Sequence, residues 1–172
     1  MLGAKSGEKK EVLTFTQPVM LQSFKDEFDL PTQAPNTPGE TGNTMIKAND
    51  VESVSPEYTT YYHKGTGKLL HMMKWSRPEI YNVVRYLSRP MSVLTKDHIV
   101  AMHRVMAHCV LTPLRGWKLI PRRKWYGKDN TFEFVIGGRS DSYYSASKDT
   151  RRSVSGWSVY LECAPISVKS YM

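Results

Sequence analysis

The sequence predicts an α+β fold in which helices come first and an antiparallel β-meander follows. Two observations lead to that expectation. Apolar residues recur at three- and four-residue spacing as far as Val110, and prolines and helix-start residues punctuate the pattern. Past Gly116 the period shortens to the alternation of strands, broken by polar turns.

In chain order, Val12 to Phe15 reads as a short strand. Gln17 to Leu30 then reads as an amphipathic helix, with Met20, Leu21, Phe24 and Phe28 on one face and Pro31 ending it. Residues 31–55, with Pro31, Pro35, Pro38, Gly39 and Gly42, have the composition of a flexible linker and mark the expected internal boundary. Ser55 provides an N-cap hydroxyl, Pro56 suits the first helical position, and Glu57 complements the positive end of the dipole. Tyr58, Tyr61, Tyr62, Leu69, Met72 and Met73 continue a helical stripe to about Trp75, and Gly65 and Gly67 weaken that helix unless they permit close packing.

Pro78 and Glu79 begin the next helix, where Ile80, Val83, Val84 and Leu87 share a face, and Pro90 stops it. Thr95 caps a third long helix carrying Ile99, Met102, Val105, Met106, Cys109 and Val110, which ends before Pro113. Trp117 to Ile120 alternates like a strand. Asp141 closes an apolar run (Phe132, Phe134, Val135, Ile136), and a polar basic turn from Lys148 to Ser153 leads to β-rich runs at Val154–Leu161 and Ile166–Met172.

At 172 residues with 40% apolar content, the chain suits one domain or pieces of two, and no apolar stretch could span a bilayer. The polar start from Met1 to Lys10 lacks the apolar core of a secretory signal. Cys109 and Cys163 stand in apolar contexts without metal-type spacing, as expected of reduced core thiols in an intracellular protein, cytoplasmic or nuclear and not secreted. Charge is unevenly spread. Residues 1–60 carry five Lys and Arg against nine Asp and Glu, and residues 61–172 carry nineteen against seven. A basic body behind an acidic leader favours a polyanionic partner, nucleic acid first, with a solvated basic surface as the plain alternative.

Several segments resemble the Pol polyprotein of copia-type LTR retrotransposons. The helical matches are Arg77-Pro78-Glu79-Ile80, Leu87-Ser88-Arg89 and His98, with Ala101, Arg104, Val105 and Thr112. The C-terminal matches are Ser140-Asp141, Arg151-Arg152-Ser153, Ser155-Gly156, Ala164-Pro165-Ile166-Ser167 and Lys169-Ser170. The resemblance implies the end of a reverse transcriptase at 1–30 (a thumb-like strand and helix), a linker at 31–55, a helical connection region at 56–128, and at 129–172 the opening β-meander of an incomplete RNase H-like fold. It also implies parent activities of RNA-directed DNA synthesis and RNA–DNA hybrid hydrolysis, magnesium as their metal, and template–primer and other element-encoded Pol segments as partners. No membrane partner is implied.

In that family Asp141 would be the first RNase H-type carboxylate and a metal ligand. A two-metal site needs several carboxylates around two ions roughly 3.5–4 Å apart. Asp149 and Glu162 are the only acids after Asp141, and Tyr143 stands where many relatives carry another. The expectation is therefore an inactive chain that binds no metal tightly. Arg115, Lys118, Arg122, Arg123, Lys124, Trp125 and Lys128 are candidates for tracking a phosphate backbone, with Trp117 and Tyr126 as possible stacking partners, and a solvated turn is the competing reading. Arg151 and Arg152 offer the same choice. His98, His103 and His108, five residues apart, drift around their helix, so they and the earlier His63 and His71 are expected in structural or surface roles. Two other classes stand beside the Pol reading: a non-catalytic nucleic-acid-binding module, and a degenerate element remnant with no selected function.

Overall fold

The computed structural model describes residues 13–33, 36–40, 54–91, 94–119, 136–143, 153–161 and 164–171. The elements run β1 (Leu13–Phe15), α1 (Pro18–Glu27), α2 (Pro56–Trp75), a 3-10 turn (Pro78–Ile80), α3 (Tyr81–Leu87), α4 (Lys96–Leu111), β2 (Trp117–Leu119), β3 (Ile136–Tyr143), β4 (Val154–Leu161) and β5 (Ala164–Tyr171). The fold is α+β, and the chain divides into two compact units. Of the described residues, those from Thr16 to Gly116, with every described helix, form one unit, and those up to Phe15 and from Trp117 onward, with every described strand, form the other.

In the helical unit, Leu21, Phe24 and Phe28 meet Tyr62, Leu69 and Met72 of α2, Ile80, Val84 and Leu87 around α3, and Ile99, Met102, Val105, Met106 and Cys109 of α4. Burying each large side chain contributes about 1.5–3 kcal/mol, which is why the stripes in the sequence become the inner faces of the helices. Gly65 sits where α2 meets α4: a Cβ there would overlap Met102 Sδ and come within 2.9 Å of the Met102 and Met106 methyls. Gly67, on the exposed side, faces open space. Close packing thus explains the first glycine and not the second.

Polar groups in this core carry their own partners. The Tyr62 hydroxyl donates to the Leu87 carbonyl at the end of α3 (2.7 Å), and burial pushes its ionisation well above the ordinary tyrosine value. Burial likewise pushes the Cys109 thiol up to about 12, and Cys109 is a free, buried cysteine as its apolar context suggested. Cys163 lies outside the described residues.

The helical boundaries differ from the expected ones in instructive ways. α1 stops at Glu27, short of Leu30, because Phe28 turns to extended geometry and buries its ring against Tyr61. Ser55 precedes α2, but its hydroxyl makes no cap bond; its carbonyl accepts from the Thr59 N–H (3.0 Å) and hydroxyl (3.2 Å) instead. Tyr58, expected on the inner stripe, faces solvent. Pro78 opens a 3-10 turn before α3 forms. Within the segment read as a linker, Thr37 donates to the Gly39 carbonyl and Glu40 pairs with Arg104 at 3.0 Å.

α4 is capped as the sequence suggested, with an added feature. The Thr95 N–H donates back to Nδ1 of His98 (3.0 Å), closing a capping box in which histidine replaces the usual Glu or Gln. Nδ1 must be unprotonated to accept that bond, and burial accordingly lowers the His98 pKa.

In the strand unit, β1 pairs antiparallel with β2, Leu13 opposite Leu119 and Phe15 opposite Trp117. A second sheet has the order β3-β4-β5, antiparallel throughout, with Ile136 opposite Leu161, Asp141 opposite Gly156 and a register shift between Val159 and Tyr160. β4 occupies the predicted span. β5 begins at Ala164, two residues ahead of the predicted Ile166. Among the described residues no helix is long and apolar enough to cross a membrane.

Candidate nucleic-acid interface and acid site

Asp141 lies inside β3, which continues past it to Tyr143; of the apolar run that it closes in the sequence, Phe132, Phe134 and Val135 lie outside the described residues. Its side chain is exposed, and Oδ1 accepts the N–H of Ser142 at 2.8 Å. Gly156 stands opposite, leaving no side chain to contribute a second ligand across the pair. Arg139, two residues earlier, shares the face of Asp141 by the strand's two-residue period, and its guanidinium lies 5.5 Å from the centre of the Tyr160 ring. A cation on that face opposes the approach of divalent ions. Among the described residues no three His, Cys, Asp or Glu side chains gather to hold a metal. Asp141 is the one carboxylate among the described residues of this sheet, and a two-metal centre calls for several.

The basic candidates divide between the units. Arg115 is exposed just after α4, its N–H donating to the Thr112 carbonyl (3.0 Å) in the helical unit. Lys118 is exposed on β2, opposite Thr14, in the strand unit. Arg122, Arg123, Lys124, Trp125, Tyr126, Lys128, Arg151 and Arg152, with the acids Asp149 and Glu162, lie outside the described residues. Trp117 is half-buried with its indole Nε1 shielded from solvent.

Each histidine has a place of its own. His98 closes the α4 cap. Nε2 of His103 lies 2.8 Å from the Tyr61 hydroxyl, and burial lowers the His103 pKa. A His63 ring nitrogen lies 2.9 Å from the Met91 carbonyl, His71 packs beside Trp75, and His108 is buried in α4.

Two clusters escaped the reading of the sequence. Arg77, 2% exposed, reaches the C-terminal end of α4, where Nη1 donates to the carbonyls of Cys109 (3.3 Å) and Thr112 (3.1 Å) and Nη2 to Thr112 Oγ1 (2.7 Å). Its Nε pairs with Glu79. Arg85 of α3 and Arg89, two residues past its end, both stack on Tyr86, 4.8 and 4.7 Å from the ring centre. The signal for the second cluster was present in part: with Val84 and Leu87 inward, a 3.6-residue period puts Asn82, Arg85 and Tyr86 on the other side of α3.

No family model matches the chain, and no solved structure matches it. The retrovirus-related Pol polyprotein from transposon RE1 of Arabidopsis thaliana is 31% identical over 108 residues, a stretch that covers 63% of this chain and 7% of the polyprotein. The chain therefore spans a small fraction of that relative, and it is similar to one segment of a retrotransposon Pol polyprotein.

Proposed function

We propose that the chain is a segment of a copia-type Pol polyprotein, running from the end of the reverse transcriptase through the helical connection to the opening strands of RNase H. In this reading it contacts nucleic acid and does not itself cleave it. The observation that carries the reading is the 108-residue similarity to a Pol polyprotein. Support comes from the three-stranded antiparallel meander that bears Asp141, which is the order of elements the resemblance implies. The nineteen Lys and Arg against seven Asp and Glu over residues 61–172 favour a phosphate-bearing partner. Cleavage is disfavoured because Asp141 stands with Arg139 on its face and Gly156 opposite. Magnesium, in the parent enzyme, would polarise the scissile phosphate and activate water; Asp141 by itself would not hold two such ions.

The test joins binding to cleavage. Fluorescence anisotropy with a labelled RNA–DNA hybrid should show binding that weakens steeply with salt. Incubation of the same hybrid with magnesium should yield no product above background. Failure to bind at low salt would sink the nucleic-acid role. Magnesium-dependent cleavage that disappears in Asp141→Asn would sink the non-catalytic reading.

A further inference from the structure

α1 and α2 leave an open groove of about 490 Å³ between them, lined by Gln17, Val19 and Met20 on one side and by Lys68, His71 and Trp75 on the other. A mostly apolar cleft of this size with a few polar groups is the usual form of a small-ligand site. Two large apolar side chains at the groove stay in water: Val19 is 67% and Trp75 50% exposed, and neither belongs to the core of the unit. His71 packs beside Trp75, ring centres 6.4 Å apart.

The charge at the groove is positive. None of its lining residues is acidic. Lys68 is already held, by Glu27 and by the Ser23 hydroxyl (3.0 Å). Lys74, in the last turn of α2, is exposed and pairs with no carboxylate among the described residues. Its Nζ lies 5.4 Å from the centre of the Trp75 ring. The Gln17 amide nitrogen is shielded from solvent without a hydrogen-bond partner.

A flat apolar ring in water with a cation beside it suits a flat ring that carries an anion. A nucleotide has that form, a base with its phosphate one sugar away. A base inside a duplex has both faces covered by its neighbours, so only an unpaired one offers a face to Trp75. We propose that the groove between α1 and α2 seats an unpaired nucleotide of a single strand, its base on Trp75 and its phosphate at Lys74. This rests on the reading of the chain as a nucleic-acid-contacting segment and gives that segment a single-strand site. Val19 and Met20 face the base from across the groove, and the Gln17 amide gains an acceptor, since every base edge carries one. Stacking is indifferent to base identity, so the site holds a strand without reading its sequence.

The experiment measures anisotropy of a short labelled oligodeoxyadenylate with the full chain, beside the RNA–DNA hybrid, over a range of salt concentrations. Trp75→Ala should weaken single-strand binding about 5- to 150-fold, the size of one lost base stack, and Trp75→Phe should recover most of it. Lys74→Gln should flatten the slope of log K against log salt by about 0.7, the share of one phosphate on a single strand. Circular dichroism checks the fold of each variant. If Trp75→Ala unfolds, Val19→Asp decides: an acid in the first turn of α1 favours the helix, while its charge at the groove should weaken strand binding about fivefold or more. Strand binding that Trp75→Ala and Val19→Asp both leave unchanged overturns this inference alone, as does hybrid binding with no single-strand binding. Absence of binding to either substrate at low salt overturns the nucleic-acid reading and this inference together. Free adenosine monophosphate that binds as tightly as the strand would reassign the groove to a mononucleotide and overturn the proposal. A Trp75→Ala variant that breaks up an oligomer and keeps full strand affinity would give the groove to a second copy of the chain, with the same consequence.

Discussion

Replacing Arg77 should unfold the helical unit far more readily than any change at its ion-pair partner. The last four carbonyls of a helix lack partners within it. In α4 the His108 carbonyl is taken by the Thr112 N–H (3.2 Å) and hydroxyl (2.6 Å), while Arg77 serves Cys109 and Thr112 from a position 2% exposed. Arg77→Met keeps much of the volume and removes every donor. Leaving the buried Cys109 carbonyl without this donor costs about 1–3 kcal/mol, while the Thr112 carbonyl loses one donor and keeps the Arg115 N–H (3.0 Å). Loss of a cation at the helix C-terminus adds up to about 2 kcal/mol. Relief from holding a buried charge offsets part of this, so the net expectation is a loss of about 3 kcal/mol.

Glu79 is the informative control. Its side chain is 34% exposed, and water can replace its partner, so Glu79→Gln should cost less than about 1 kcal/mol. Arg77→Lys keeps the charge but cannot reach three acceptors at once; about half the loss should remain. Urea unfolding followed by helical circular dichroism at 222 nm resolves these differences, because with a slope of about 1–3 kcal/mol per molar a 3 kcal/mol loss moves the midpoint by at least about 1 M. If Glu79→Gln proves as harmful as Arg77→Met, the pair matters and the cap does not. If Arg77→Met changes stability by under about 0.5 kcal/mol, the reasoning fails outright.

Two further expectations use the same measurement. Gly67→Ala, with open space around its Cβ, should stabilise α2 by about 0.5–1 kcal/mol through helix propensity; Gly65→Val, forced against Met102 and Met106, should cost about 1–3 kcal/mol. A gain at position 65 would refute the close α2–α4 contact. His98 and His103, whose burial lowers their pKa below the ordinary 6.5, are neutral when folded, while the unfolded chain protonates first on acidification. Stability is therefore fully present above about pH 6.5 and is lost as pH falls through the lowered values. His98→Gln should reduce the drop in urea midpoint between pH 7.5 and 5, and an unchanged drop would remove His98 from the account.

The helices were legible because burial of an amphipathic stripe leaves a periodic trace, and α2, α3 and α4 follow that trace closely. Where the trace failed, a single local interaction outweighed it. Phe28 left the helix to reach Tyr61, and Tyr58 lay one step off the buried face. The β1–β2 pairing was not legible at all: each strand is three residues long, and about a hundred residues separate them, so no local pattern records the partnership. Arg77 escaped for a related reason. A charged residue before Pro-Glu reads as solvated until the end of α4, far along the chain, is brought to it. Of the site residues, Asp141 was legible as an acid closing an apolar run, but not the continuation of β3 past it to Tyr143, because Ser142 and the polar residues before Asp141 carry no clear strand pattern.

The residues that carry the resemblance do two different kinds of physical work in the two units. In Arg77-Pro78-Glu79-Ile80, Arg77 caps α4, Pro78 opens the 3-10 turn, and Ile80 is fully buried. His98 closes the α4 cap, and Val105 is core. These positions maintain helix packing, and packing is compatible with many activities. The strand-unit matches differ: Asp141 is exposed and opposite a glycine, and nothing in the described packing requires an acid there. The helical motif therefore serves packing, whereas the exposed Asp141 has no packing role among the described residues.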